Sequence, residues 1–269
     1  MKPGWFLLLV VLSFQSAALA QNSQPQRSEP KDLQLFLLIG QSNMAGRGTV
    51  EDADRVPIPG VFTLNKDLAW VPAVDPLHFD RPDRIGVGLG RSFAKTLLDA
   101  QPGATIGLIP AAMGGSALAE WKPGGELFTD AVRRTKAAQK SGVLRGILWH
   151  QGETDSMKEE DAQTYLKRWT EMITALRREL GAPEVPVVVG QLGEFVLPDR
   201  PLAATVNRQL ATIPLEVPFT AFASAVRLTH RGDKLHFNSE SYREFGRRYA
   251  LAYLSLDANW AVPSSGRRR

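Results

Sequence analysis

Apolar residues run unbroken from Leu35 to Ile39 in LQLFLLIG (33–40). Four further runs of strand length follow: ATIGLIPA (104–111), RGILWHQ (145–151), VPVVVGQ (185–191) and TAFASAV (220–226). Several are continuous rather than alternating, the pattern of strands buried on both faces. Between them lie stretches with apolar stripes at three- and four-residue steps, the signature of amphipathic helices. Phe93, Leu97 and Leu98 form one. Tyr165, Trp169, Met172, Ile173, Leu176 and Leu180 form a longer one, and Tyr242, Phe245, Tyr249 and Tyr253 the last. Gly181 and Pro183 end the long helix, the first as a C-cap and the second because proline cannot continue it. Strand and helix alternate throughout, which predicts one doubly wound domain: a three-layer α/β/α sandwich around a five-stranded parallel sheet.

Two regions fall outside this alternation. Residues 47–82 are rich in Pro and Asp and lack a period, so they read as a substrate-facing loop or as surface decoration. The N-terminus reads as an export signal over 1–20: Lys2, then the apolar WFLLLVVLSF, then AALA with small residues at Ala18 and Ala20. That core is too short to span a bilayer comfortably and the small residues argue against a membrane anchor; no later segment is long and apolar enough to be a transmembrane helix, so no membrane insertion is expected after cleavage. A polar leader (21–32) then precedes a domain over 33–258, and a basic tail occupies 259–269. The expected destination is the periplasm or the medium.

Composition narrows the chemistry. The 269 residues are 43% hydrophobic and 22% charged, enough for one large core. The formal net charge is only +4, and no stretch interleaves dense Lys/Arg with aromatics, which speaks against nucleic-acid binding. Without a single cysteine the chain has no disulfide, no thiolate nucleophile and no Cys-based metal site.

In doubly wound sheets ligands sit at the carboxyl ends of strands, and here those ends are polar. The first strand runs into Gly40-Gln41-Ser42-Asn43, the second into PAAMGGSALAEW, the third into His150-Gln151-Gly152-Glu153, and the fifth is followed by THRGDKLHFNS. Acyl transfer by serine needs an imidazole to take the hydroxyl proton and an acid to orient the imidazole. Asp233 and His236, three apart, suit a loop that turns the carboxylate onto one ring nitrogen and leaves the other for Ser42. A developing oxyanion needs preplaced donors, for which the N–H groups of Ser42 and Gly115 and the amide of Gln151 are candidates. Other frameworks fit worse. The nucleophile elbow needs Gly where Met44 stands. GVGLGRSF (86–93) fails the dinucleotide pattern, because its glycines fall at every second position and no strand directly precedes it.

The blocks GQSNMAGRG, GGSALAEW, WHQGETD and DKLHFNS resemble those of the SGNH-hydrolase superfamily. The resemblance is to its sialate O-acetylesterase-like branch, similar to carbohydrate esterase family six, the acetylxylan esterases, and it spans roughly 33–254. It implies a flavodoxin-like sandwich and an acetyl-serine route with no cofactor and no metal. Ser42 would be nucleophile, His236 general base and acid, Asp233 its orienting acid, and Ser42, Gly115 and Gln151 the oxyanion donors. The implied partner is an acetylated carbohydrate, either xylan or a related glycan, or O-acetylated sialic acid. Gly-Gln-Ser in place of the Gly-Asp-Ser of many SGNH enzymes, and Gln in place of Asn in the third block, point away from lipase activity. A non-catalytic sugar-binding protein and an esterase or thioesterase for other acyl groups are the alternatives.

The remaining candidates have two readings each. Gln41 and Asn43 frame the serine turn. Glu153 could hold Gln151 or Gln41 by hydrogen bonds. His150 suits packed support for the turn better than a metal site built with Glu153, Asp155 and His236, because His and Glu three apart in a turn are not a helical zinc motif. Trp121 could stack on a sugar ring or fill a gap in the core. His78 could line the cleft or face water, and His230 belongs to the surface. The sequence is silent on oligomeric state.

Overall fold

The computed structural model describes Met1 and residues 30–260, with the side chains of 257–260 excepted. The rest of the expected export signal, the leader up to residue 29 and the tail from 261 lie outside the described residues. In chain order the strands are β1 (Leu33–Gly40), β2 (Val61–Leu64), β3 (Trp70–Pro72), β4 (Ile106–Pro110), β5 (Gly142–His150), β6 (Val187–Gly190) and β7 (Thr220–Ala223). The helices are α1 (Ser42–Ala45), α2 (Gly90–Ala100), α3 (Glu126–Ala138), α4 (Glu159–Gln163), α5 (Tyr165–Glu179), α6 (Ala203–Glu216) and α7 (Ser239–Trp260). They build one sheet in the order β3-β2-β4-β1-β5-β6-β7, flanked by helices on both faces.

The sheet corrects the sequence expectation in one respect: it has seven strands, not five. The two additional strands come from the Pro- and Asp-rich stretch after Ser42. β2 pairs parallel with β4, and β3 returns antiparallel to β2 at the edge. All other pairings are parallel.

The continuous apolar runs are explained by the two helical layers. Along β1, Leu35, Leu37 and Ile39 enter a core shared with α3, α5 and α6, whereas Phe36 and Leu38 enter the core under α2 and α7. A strand sandwiched in this way has no polar face to alternate with. The predicted stripes supply the other halves. Trp169, Met172, Ile173 and Leu176 of α5 fill the first core, and Phe93, Tyr242, Phe245 and Tyr249 the second.

β1 is central, with β4 on one side and β5 on the other, so the chain reverses its direction of travel across the sheet there. Such a switch point leaves a crevice beyond the carboxyl ends of the strands. Ser42 is the second residue past the end of β1. Gly40 fixes how the chain leaves the sheet. Its φ is +130°, a conformation side chains rarely adopt, and a Cβ there would fall 2.0 Å from the carbonyl oxygen of His150. The chain then turns into α1, with the Gln41 N–H donating to His150 O at 2.8 Å.

Candidate active site

Four loops meet over this edge, and the first contact is between the first and last of them. The Ser42 hydroxyl lies 3.0 Å from His236 Nε2, and His236 Nδ1 lies 2.8 Å from Asp233 Oδ2. Asp233 is held by its own loop. Its Oδ1 accepts from the N–H groups of Leu235 (2.9 Å) and His236 (2.8 Å). His230 shapes the same loop from behind, its Nδ1 accepting from the N–H groups of Gly232 and Lys234. Partial burial pushes the Asp233 carboxyl up. The backbone and ring hydrogen bonds from His236 and the bond from Leu235 outweigh it and hold the carboxyl below its ordinary value.

A depressed carboxyl contributes its interaction above the ordinary carboxylate range of about 4, and loses it only as pH falls through the lower folded value. Asp233 therefore stays charged against His236 from pH 8 down to pH 5. Asp233→Asn is expected to lower kcat by about ten- to a thousandfold, compared at the plateau of each protein's pH–rate profile. Wild-type kcat in a folded Asp233→Asn would contradict the assignment.

The glycine loop after β4 brings Gly115 to the same place. Its φ is +83°, and among the described residues neither its N–H nor that of Ser42 donates a hydrogen bond. Gln151 differs from expectation. Its side chain is fully buried, and its Nε2 donates to Asp155 Oδ2 at 2.6 Å, to Ser116 O at 3.1 Å and to Gln41 Oε1 at 3.2 Å. The Tyr165 hydroxyl donates to Gln151, with the backbone O at 2.8 Å and Oε1 at 3.0 Å. An amide with both hydrogens engaged below the surface has none to offer an oxyanion, so Gln151 acts as a strut between loops. Gln41 is the amide that lines the cleft. Gln151 and the Thr154 N–H pin its Oε1, while its nitrogen donates to nothing among the described residues.

Asn43 stitches the serine turn to the histidine loop. Its Nδ2 donates to Glu153 Oε1 (2.5 Å) and Leu235 O (3.0 Å), and its Oδ1 accepts from the Phe237 N–H (3.3 Å) and the Tyr242 hydroxyl (2.6 Å). Burial pushes the Tyr242 hydroxyl well up, so it remains a neutral donor. Glu153 is almost fully buried. Burial raises its carboxyl, but the His150 ring, with Nε2 3.4 Å from Oε1, and the hydrogen bond from Asn43 bring it below the usual value. His150 is buried too. Tyr249 commits its one hydrogen to Trp149 O (2.8 Å), so His150 Nδ1, 3.2 Å away, is the donor of that pair. Its ring stacks edge-on against Phe237 and Phe245.

The open readings resolve on burial. Trp121 is a core residue, edge-on to Trp149 at 5.5 Å, and its Nε1 donates to Ser116 Oγ, bracing the glycine loop from beneath. It does not line the cleft. His78 is also interior, and burial lowers its imidazole to about 3. The four residues weighed as metal ligands are not gathered. Asp155 binds Gln151, the Leu118 N–H and Arg168, and no group of three or more His, Asp or Glu that could hold an ion occurs among the described residues.

The cleft above these groups measures about 770 Å³. Five arginines line it (47, 81, 84, 200 and 231), against three acids (Asp83, Glu153 and Asp233). Sequence reasoning missed these arginines and Asp80. Only Arg47 falls inside one of the four resembling blocks, where nothing marks it for a role, and four of the six come from the irregular insertion or lie next to it.

A mostly parallel α/β/α sheet with a hydroxyl–imidazole–carboxylate chain at its carboxyl edge is the arrangement of an ester hydrolase of the SGNH type. Comparison with known proteins narrows the class. The profile of the family described as carbohydrate esterase, sialic acid-specific acetylesterase, matches residues 32–255, and the chain belongs to that family. It is 33% identical over 244 residues to a probable carbohydrate esterase of Arabidopsis thaliana, spanning 82% of this chain and 90% of that one. The crystal structure of the Arabidopsis protein superposes with a TM-score of 0.76 at 31% identity, over 83% of this chain and 98% of that one. The fold is shared with NanS (TM-score 0.74, 19% identity, 86% and 99% covered). It is also shared with a carbohydrate acetylesterase from Xanthomonas citri (TM-score 0.65, 22% identity, 84% and 57% covered).

Proposed function

We propose that the protein is an exported serine esterase that removes O-acetyl groups from carbohydrate through an acetyl-Ser42 intermediate. The continuous hydrogen-bond chain from Asp233 through His236 to Ser42, opening on the cleft, carries this reading. As Ser42 Oγ attacks the acetyl carbonyl carbon, His236 Nε2 takes the hydroxyl proton. The N–H groups of Ser42 and Gly115 face the developing oxyanion. Collapse breaks the carbon–oxygen bond to the sugar, and His236 returns its proton to the departing sugar hydroxyl. A water deprotonated by His236 then attacks the acetyl-serine, releasing acetate and restoring Ser42. Export rests on the pattern of residues 1–20.

Among acetylated sugars, the arginine-rich lining favours one that carries a carboxylate, such as sialic acid, over neutral xylan. The Arg81 guanidinium has no ion-pair partner among the described residues, and Arg200 is anchored beside the site through Glu153 O at 2.7 Å. The test is acetate release from a panel of acetylated glycans, acidic and neutral, with 4-nitrophenyl esters of increasing chain length and Ser42→Ala as control. Acetyl preference is expected, together with a higher kcat/KM on the acidic members that declines with added salt. Sugar binding without acetate release would favour a non-catalytic role, and rates rising with chain length would favour another acyl ester.

A further inference from the structure

We propose that the buried Arg47–Asp80 ion pair is a positioning device for the glycine loop, holding Gly115 where the oxyanion forms. The proposal rests on the esterase reading above. Asp80 lies in HFDRPD, near the end of the irregular insertion. Its Oδ2 accepts from the Gly114 N–H at 2.8 Å and from Arg47 Nη2 at 2.7 Å. Both side chains are buried, at 4% and 1% exposure. A well-packed apolar pair of the same volume could hold the fold as well as a buried ion pair does. It could accept nothing from Gly114, the residue immediately before the proposed donor.

Arg47 ties this contact to the other two loops of the site. It follows Ser42 by five positions, and its Nη1 donates to Gly46 O at 2.8 Å. Its own carbonyl accepts from Nη1 of Arg231, two residues before Asp233. The serine loop, the glycine loop and the Asp–His loop therefore share one residue. The fit at Gly114 has no slack: a Cβ there would fall 2.4 Å from Arg47 Nη2 and 2.8 Å from Asp80 Oδ2. The glycine loop cannot shift towards the insertion without displacing the pair, or away from it without losing the Gly114 bond. Displacement of a reacting group by about 1 Å typically costs about a hundredfold in rate.

Asp80 Oδ1 has no partner among the described residues. Asparagine at this position can thus keep its oxygen on Gly114 and Arg47 and turn its amide nitrogen to the unpartnered side. Alanine cannot. The experiment compares Asp80→Ala, Asp80→Asn and Ser42→Ala on 4-nitrophenyl acetate across pH, with thermal melts and with binding of a boronic acid that forms a tetrahedral adduct on serine. Asp80→Ala is expected to lose about a hundredfold in kcat with KM within about threefold. Its boronate affinity should fall in parallel, and its pH profile should match that of Asp80→Asn, which makes the same change of charge beside the Arg47–Arg231 contact. Asp80→Asn should stay within about fivefold of wild type.

A folded Asp80→Ala with wild-type kcat overturns the proposal. So does one whose pH profile departs from that of Asp80→Asn, or a folded Asp80→Asn as impaired as Asp80→Ala. Where Asp80→Ala does not fold, Gly114→Ala carries the test: the added methyl meets the pair, and wild-type kcat in that folded variant overturns the proposal equally. An active Ser42→Ala would instead defeat the esterase reading. An inactive Ser42→Ala beside a normal Asp80→Ala defeats the clamp alone.

Discussion

Ser42→Ala is expected to abolish acetate release while leaving the melting temperature within about 2 °C of wild type. The hydroxyl makes one side-chain hydrogen bond, to His236, so its loss leaves no buried group without a partner. The chemical loss is of another order. Removal of the nucleophile from a serine–histidine–acid unit typically lowers kcat by about 10⁴- to 10⁶-fold, or about 5–8 kcal/mol of transition-state stabilisation. His236→Ala should fall almost as far. The double variant should be no worse than either single, because the two residues carry out one proton transfer. Steady-state kinetics and melts on the three proteins decide the matter. Additive losses would mean that Ser42 and His236 act independently, and that the 3.0 Å contact between them is incidental.

The parts of the molecule open to sequence reading are those where one physical pressure dominates. β1, β4, β5, β6 and β7 are buried on both faces, and burial alone makes their runs apolar. The stripes of α2, α5 and α7 stand out because each helix has one buried face. β2 and β3 were not readable. They have four and three residues, too few to show a period, and β3 ends in a proline that an edge strand tolerates. The turn between them is shaped by the Asn65 side chain, whose Oδ1 accepts from the N–H groups of Asp67 and Ala69. That interaction is local and leaves no hydrophobic trace.

The same distinction runs through the site. Ser42, Asp233 and His236 could be proposed together because each ends or follows a strand and because an Asp and a His three apart can close a loop. Gln151 stands at the strand end the sequence indicates, but its amide points into the protein rather than into the cleft. Sequence position cannot tell an amide that faces a cleft from one whose hydrogens are taken by Asp155 and Ser116 O. Arg47 and Asp80 are invisible as a pair, 33 residues apart with no motif between them; they meet because β2 and β3 return the insertion to the sheet and Gly48 pairs with Val87.

Asn43→Ala should be the most destabilising substitution outside the serine–histidine–aspartate chain, and should cost as much in rate as Asp80→Ala. It removes four hydrogen bonds at once, leaving the Phe237 N–H, the Tyr242 hydroxyl and Leu235 O without their partner and the Glu153 carboxylate short of a donor. Each buried group left unsatisfied costs about 1–3 kcal/mol, and these share one site and will not add fully. A net loss of roughly 3–4 kcal/mol, or about 10 °C in melting temperature, is expected. The rate should fall by about a hundredfold below the melting transition, because Leu235 and Phe237 bracket His236 and its ring loses its register to Ser42. Asn43→Asp separates shape from charge. It preserves the volume but sets a second carboxyl beside Glu153 Oε1, where Asn43 Nδ2 now donates at 2.5 Å. Two carboxylates at that distance cannot both ionise, so one takes up a proton in the folded state that it lacks when unfolded. Stability of Asn43→Asp should therefore fall as pH rises above the ordinary carboxylate range of about 4 and recover on acidification, the reverse of the Asp233–His236 pair. Melts from pH 4 to pH 8 measure this directly. Wild-type stability and rate in Asn43→Ala, or an Asn43→Asp melt that does not depend on pH, would show that the stitch between the serine turn and the histidine loop lies elsewhere.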